Sequence, residues 1–137
     1  MSDPVALPWR QCLYLSRLAD GVGYGIFAGL AQRARTSNAA HGSGGCLLFD
    51  GQRFCQLIEG PEPAVSALRA RINDDARHRD ITTLLDRLLP ARAEPPAWEY
   101  GYCGADDLEG LDSLNLMHGP AALAAFEAIR ARADLAC

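Results

Sequence analysis

Apolar and polar positions alternate with a period of two through residues 11–17, QCLYLSR. That pattern predicts a strand with Cys12, Tyr14 and Ser16 on one face and Leu13 and Leu15 on the other. The same period runs through residues 46–61, CLLFDGQRFCQLIEGP, and predicts two strands joined at Asp50-Gly51, a strong hairpin signal. In the second of these strands Phe54, Gln56 and Ile58 share one face, and Cys55, Leu57 and Glu59 share the other. Between the first strand and the hairpin the period changes to that of a helix. Asp20 stands where a cap belongs, and Val22, Ile26, Phe27, Leu30, Ala31 and Ala34 form an apolar stripe over residues 22–35. Residues 36–45, TSNAAHGSGG, are small and polar and predict a loop holding Asn38 and His41. A second helix is predicted over residues 62–73, with Val65, Leu68 and Ile72 inward. A charged loop follows at 74–80, then strands at 81–89 and 98–102, the latter with Trp98, Tyr100 and Tyr102 on one face. Residues 106–118 read as irregular. Pro120 opens an Ala-rich helix reaching Ala133, striped by Leu123, Phe126 and Ile129.

The predicted order is β-α-β-β-α-β-β-α. Its first six elements form the ferredoxin-like α+β arrangement, with both helices on one face of the sheet. The opposite face then carries Leu13, Leu15, Cys55 and Leu57, too much apolar surface to stay wet. The C-terminal helix is the natural cover, and a homo-oligomer through the back face of the sheet is its rival. The chain divides into a flexible leader (1–10), one domain (11–103) and a C-terminal helical extension (104–137).

Composition narrows the chemistry. The 137 residues carry a net charge of −4, 49% apolar and 22% charged residues, values of a globular domain with no basic footprint for nucleic acid. Every basic side chain is arginine, which excludes a Schiff-base or P-loop lysine. No apolar run approaches the roughly 20 residues that span a bilayer, and the N-terminus lacks the pattern of a signal peptide, so a cytoplasmic protein is expected. The five cysteines form no CxxC and no Cys/His cluster at metal spacing, so free thiols and no metal site are expected, with Cys46 and Cys55 opposite each other across a two-residue turn. GVGYG at 21–25 is not a dinucleotide fingerprint, because no third glycine follows at the required spacing. Gln56 is the outstanding feature: an amide among apolar neighbours in a strand costs free energy unless it is hydrogen-bonded.

These residues together resemble the BLUF domain, the blue-light sensor that binds FAD. The resemblance covers residues 12–102 and rests on Tyr14 followed by Ser16 (YLS), Asn38, the block FCQLIEGP with Gln56, DDARH after the second helix, and WEYGY. It implies a flavin held between the two helices of the 11–103 domain, with Tyr14, Gln56 and Asn38 at the ring edge. It implies that Tyr14 and Gln56 form the photoactive switch. Asn and Gln amides each carry one acceptor and two donors, which suits a flavin edge that alternates acceptors with an N–H. Ile58, Arg35, Ser37, Arg77 and His78 are the further candidates for cofactor binding, and Trp98 and Tyr100 for signal relay. The function implied is a sensor that signals to a protein partner in trans and turns over no substrate. The chain departs from the family pattern at Tyr100 (usually Met), Ser43-Gly44 (usually Ile-Thr), Ala34 (usually Ser) and Ser37 (usually Asn). Those departures motivate an alternative, a degenerate BLUF-fold interaction module with weak flavin binding and no light response. A thiol enzyme using Cys46 or Cys55 with His41 or His78 is the third reading, and it lacks an orienting partner at any recognisable spacing.

Overall fold

The computed structural model of the chain describes residues 8–23, 25–104 and 110–136. Most of the predicted leader, part of the predicted irregular segment at 106–118, Tyr24 and Cys137 lie outside the described residues. The elements are β1 (Trp9–Leu18), α1 (Ile26–His41), β2 (Gly44–Phe49), β3 (Arg53–Pro61), α2 (Glu62–Asn73), β4 (His78–Leu89), β5 (Trp98–Tyr102), a 3-10 turn (Leu111–Leu116), α3 (Gly119–Arg132) and β6 (Asp134–Ala136). The strands form one sheet in the order β4-β1-β3-β2-β5-β6. All pairs are antiparallel except β2 with β5. This is the ferredoxin-like arrangement predicted, extended by a short sixth strand at the edge.

Two apolar layers flank the sheet. On one face α1 lays Phe27 and Ala31 against Leu47, Phe49, Phe54 and Trp98, while α2 lays Val65 against Cys12, Tyr14 and Ile58. On the other face Leu13, Leu15, Cys55 and Leu57 are buried beneath Phe126 and Ile129 of α3 and Leu111 and Leu114 of the 3-10 turn. The C-terminal helix therefore covers the face for which an oligomer was the rival cover. Leu111 and Leu114 sit three apart on the tight turn, and both are fully buried.

Four sequence expectations need correction. First, α1 begins at Ile26, and Asp20 does not cap it. Gly21 (φ +80°) turns the chain, Val22 N–H donates to the Ala19 carbonyl oxygen, and the Asp20 carboxylate pairs with Arg79 at 3.1 Å. Second, α1 runs through Thr36, Ser37 and Asn38 to His41, so Asn38 is a helical residue rather than a loop residue. The stop comes from Gly42 (φ +70°), whose N–H donates to the Asn38 carbonyl oxygen, a left-handed cap. Third, the β2–β3 turn is centred one residue later than predicted. The Asp50 carboxylate accepts from the N–H groups of Gln52 (2.9 Å) and Arg53 (2.7 Å), and Asp50 N–H donates to the Arg53 carbonyl oxygen. Gly51 and Gln52 thus occupy the corner, Phe49 faces Phe54, and Cys55 faces Leu48 rather than Cys46. The predicted charged loop at 74–80 is also shorter, since β4 begins at His78, and Asp80 (φ 54°) marks an irregularity in its pairing with β1.

Candidate functional site

Register places four side chains in one row across the sheet. Tyr14 on β1 faces Gln56 on β3, Gln56 faces Leu47 on β2, and Leu47 faces Tyr100 on β5. All four lie on the α1/α2 face. The Tyr14 hydroxyl donates to Gln56 Oε1, which answers what the strand amide is bonded to. Tyr14 is 4% exposed and Gln56 5% exposed, and burial raises the phenol's pKa well above its ordinary value, so Tyr14 is a protonated donor in this bond.

A cleft of about 290 Å³ opens over this row between the two helices. Leu30, Arg33, Ala34 and Ser37 line it from α1; Leu68, Arg71 and Ile72 line it from α2. Tyr14, Leu47, Phe54 and Gln56 form its floor, and Asp75, Arg77 and His78 close one end. Each helix contributes residues three and four apart, one face of a 3.6-residue period. The size is near the lower end of small-molecule sites, about 300–1,000 Å³, and the lining mixes apolar side chains with Tyr14, Ser37, Gln56, His78 and the charged Arg33, Arg71, Asp75 and Arg77.

Asn38 carries the most telling geometry. It is 1% exposed, and neither its Oδ1 nor its Nδ2 has a hydrogen-bond partner among the described residues. Each buried unpaired polar group costs about 1–3 kcal/mol. Asn38 is not among the residues that line the cleft, and its amide is left to be met by a group that supplies both a donor and an acceptor. The ring edge of a flavin does so, and the residues present fit that group.

The remaining candidates divide. Ser37, Arg77 and His78 line the cleft. Arg77 is tied to Asp75 through two guanidinium nitrogens, which pulls the Asp75 carboxyl down to about 2 and pushes the Arg77 pKa up. His78 Nε2 faces the Ile72 carbonyl oxygen at 2.7 Å and so donates there, and in the neutral ring Nδ1 accepts from the buried Ser16 hydroxyl at 2.8 Å. The imidazole also meets Tyr14 edge-on, with centroids 6.2 Å apart. Ile58 is buried beneath α2, and Arg35 is exposed on α1; neither lines the cleft. Arg33 and Arg71, which do line it, were not singled out in the sequence. Ending the helix at 35 hid the spacing 30-33-34-37 that marks the cleft face of α1.

At the β5 end, Trp98 Nε1–H donates to the Ala31 carbonyl oxygen at 3.1 Å, pinning the strand to α1. Tyr100 packs edge-on against Phe27, centroids 6.0 Å apart. Glu99 on the reverse face pairs with Arg130 of α3 at 3.2 Å. The Ser43-Gly44 departure also has a structural reason. A Cβ on Gly44 would lie 1.7 Å from the Pro96 carbonyl oxygen, so the loop before β5 fills the space a side chain would take. Burial raises the Cys46 thiol to about 12 and Cys55 well above its ordinary value, which holds both in the un-ionised form rather than as thiolates. No helix among the described residues is long and apolar enough to cross a membrane.

Comparison with known proteins agrees with this geometry. The family model described as BLUF, sensors of blue-light using FAD, matches residues 10–99. The blue light- and temperature-regulated antirepressor BluF of Escherichia coli is 35% identical over 80 residues, 58% of this chain and 20% of that protein. The photoactivated adenylate cyclase subunit beta of Euglena gracilis is 33% identical over 85 residues, 62% of this chain and 10% of that protein. The chain therefore spans a small part of the curated relatives it matches. Among solved structures, the dark state of BlrB, a BLUF protein, superposes with a TM-score of 0.69 at 28% identity, covering 91% of this chain and 96% of that one.

Proposed function

The chain belongs to the BLUF family of blue-light sensors using FAD, and from that premise we propose that it senses blue light through a Tyr14–Gln56 hydrogen-bond switch and signals to a protein partner in trans. The observation that carries the reading is the Tyr14–Gln56 bond on the floor of the cleft, and the unpartnered Asn38 amide on α1, the helix that forms one wall, supports it. When bound, the flavin supplies the blue-light absorption and takes up an electron.

The roles of the chain's own residues follow from their chemistry. Asn38 and the Gln56 amide bind the ring edge. Tyr14 gives up an electron, and its phenolic proton moves along the existing bond to Gln56 Oε1. A primary amide offers two near-isosteric hydrogen-bond arrangements, so Gln56 can exchange donor for acceptor with little change in volume. His78 and Ser16 hold the ring of Tyr14 from the α2 side. Ser37, Arg33 and Arg71 stand where an anionic cofactor tail leaves the cleft, whereas Arg77 spends its charge on Asp75. Ile58 supports the floor from beneath, and Arg35 lies too far out to contribute.

The row Gln56–Leu47–Tyr100 is the relay. A change at Gln56 pushes on Leu47, and Tyr100 carries it to β5, where Trp98 is anchored to α1 and Glu99 to α3. Tyrosine in place of the family's methionine keeps a large side chain in contact with Phe27, so the row is unbroken. The test is Tyr14→Phe. The variant retains flavin, because no bond from Tyr14 to the ring is needed to hold it, and it loses the light-induced shift of the absorption edge. A Tyr14→Phe protein that photocycles like its parent would overturn the switch.

A further inference from the structure

Arg69 stands on α2 with its guanidinium carbon 4.7 Å from the centroid of the Tyr14 ring. Its Nη2 donates to Thr83 Oγ1 at 2.8 Å, and Thr83 is the cross-strand partner of Tyr14 on β4. Its Nη1 is buried with no hydrogen-bond partner among the described residues. Arg69 does not line the cleft, so it faces the phenol from outside the flavin site. The bond to Thr83 and the attraction of Asp86 favour an arginine on this stretch of α2, and covering the Tyr14 ring does not by itself call for one. A leucine or methionine would cover the same ring without leaving a charged donor unpaired, and an unpaired buried donor is costly. What arginine adds is a fixed positive charge on the ring face.

We propose that Arg69 is a positioning residue for Tyr14 that makes the phenol release its electron and its proton together. This rests on the reading of Tyr14 as the group that donates to the photoexcited flavin. A nearby cation opposes the positive charge that the ring would bear if it lost an electron and kept its proton. The same cation favours the phenolate over the phenol. The route left open is the balanced one. The Tyr14 O–H bond would break with its electron and proton leaving together, the electron to the excited flavin and the proton to Gln56 Oε1 as Gln56 Nε2 gives up one of its own toward the reduced flavin, so that the tyrosine is left a neutral phenoxyl and the amide side chain stays uncharged. Arg69 thereby directs the proton into the amide whose rearrangement constitutes the signal. The other charged or titratable groups facing Tyr14 do not supply this field. Asp75 is neutralised by Arg77, His78 is engaged by Ser16 and the Ile72 carbonyl, and the Cys55 thiol is held protonated by burial.

The experiment places a polyfluorinated tyrosine, whose phenol titrates in the neutral range, at position 14 alone in the full, flavin-loaded chain. Its pKa is then read by fluorine NMR. Arg69→Met should raise that pKa by about one unit or more, as expected for removal of a charge within roughly 4–6 Å. Arg69→Lys should leave it close to the parent. Arg69→Gln makes the same prediction as Met and replaces it if the Met variant does not fold. An unchanged pKa in a natively folded Met or Gln variant overturns the proposal. The readout needs no photocycle. A chain that shows the pKa change but no light response keeps the Arg69 field at Tyr14 and loses the sensor reading, and the joint release with it; a chain that photocycles with an unchanged pKa loses only this inference.

Discussion

Asn38→Leu separates a residue kept for a ligand from one kept for the fold. Leucine has the same branching and the same number of side-chain heavy atoms as asparagine, so it replaces the two unpartnered polar atoms with methyl groups of similar shape. In the flavin-free chain the substitution removes a desolvation cost of about 1–3 kcal/mol per group and adds a few tenths of a kcal/mol of helix propensity. Part of that is lost to the bulk of the methyls in a site that is 1% exposed. A net gain of about 2 kcal/mol is expected, which at a slope of about 2 kcal/mol/M moves the urea midpoint up by about 1 M. Flavin binding changes in the opposite direction and offsets that gain in the loaded protein. Two hydrogen bonds to the ring edge at about 1 kcal/mol each are lost, and flavin binding weakens roughly thirtyfold. The assays are urea unfolding of the stripped chain followed by circular dichroism, and titration with FAD followed by flavin fluorescence. A stripped variant less stable than its parent would show that Asn38 serves the fold. Undiminished flavin affinity would remove it from the site.

Two further outcomes follow from the same coordinates. Asp75 sits at about 2, below the ordinary carboxylate value. It therefore binds a proton less readily folded than unfolded, and the stability it contributes is complete above about pH 4–5 and lost as pH falls toward 2. Asp75→Asn should cost about 1 kcal/mol at neutral pH, allowing for solvent screening of the partly open pair with Arg77. Urea midpoints of variant and parent should draw together as pH falls from about 4 through 2, and a gap that is constant with pH would contradict this. Phe126→Ala empties the centre of the back-face core, where Phe126 is fully buried. It should cost about 3–5 kcal/mol, and a cost below 1 kcal/mol would mean that α3 does not cover the sheet in solution.

The fold was legible wherever hydrophobic period and turn chemistry agreed. Residues 62–73 were bounded correctly because Gly60-Pro61 fixes the start of α2 and the stripe Val65-Leu68-Ile72 is regular. The cover of the back face was legible from Leu13, Leu15, Cys55 and Leu57, which had to be buried beneath something. What was misread involved polar side chains within a helix, a local turn bond and a long-range contact. Thr36, Ser37 and Asn38 compete with the helical backbone by their side chains, so they signal a loop, yet Ser37 lines the cleft and Asn38 stays buried in the helix. The Asp50 carboxylate moved the hairpin corner by one residue, a local bond that Asp-Gly statistics do not reveal. The closed approach of Pro96 to Gly44 joins residues 52 apart in sequence, and nothing near Gly44 announces it. That Gln56 needs a hydrogen-bond partner was legible from its place in an apolar strand; that the partner is Tyr14 was implied only by the family resemblance, and the structure shows the bond.

The central claim is that light rearranges the hydrogen bonds around Gln56 while the cofactor begins and ends oxidised. An absorption spectrum of the flavin-loaded full chain, taken in the dark, under blue light and again in the dark, tests it most directly. The account predicts an oxidised flavin spectrum whose edge moves to longer wavelength in the light and returns in the dark. A chain that takes up FAD but shows no shift, or one that simply bleaches, would contradict it.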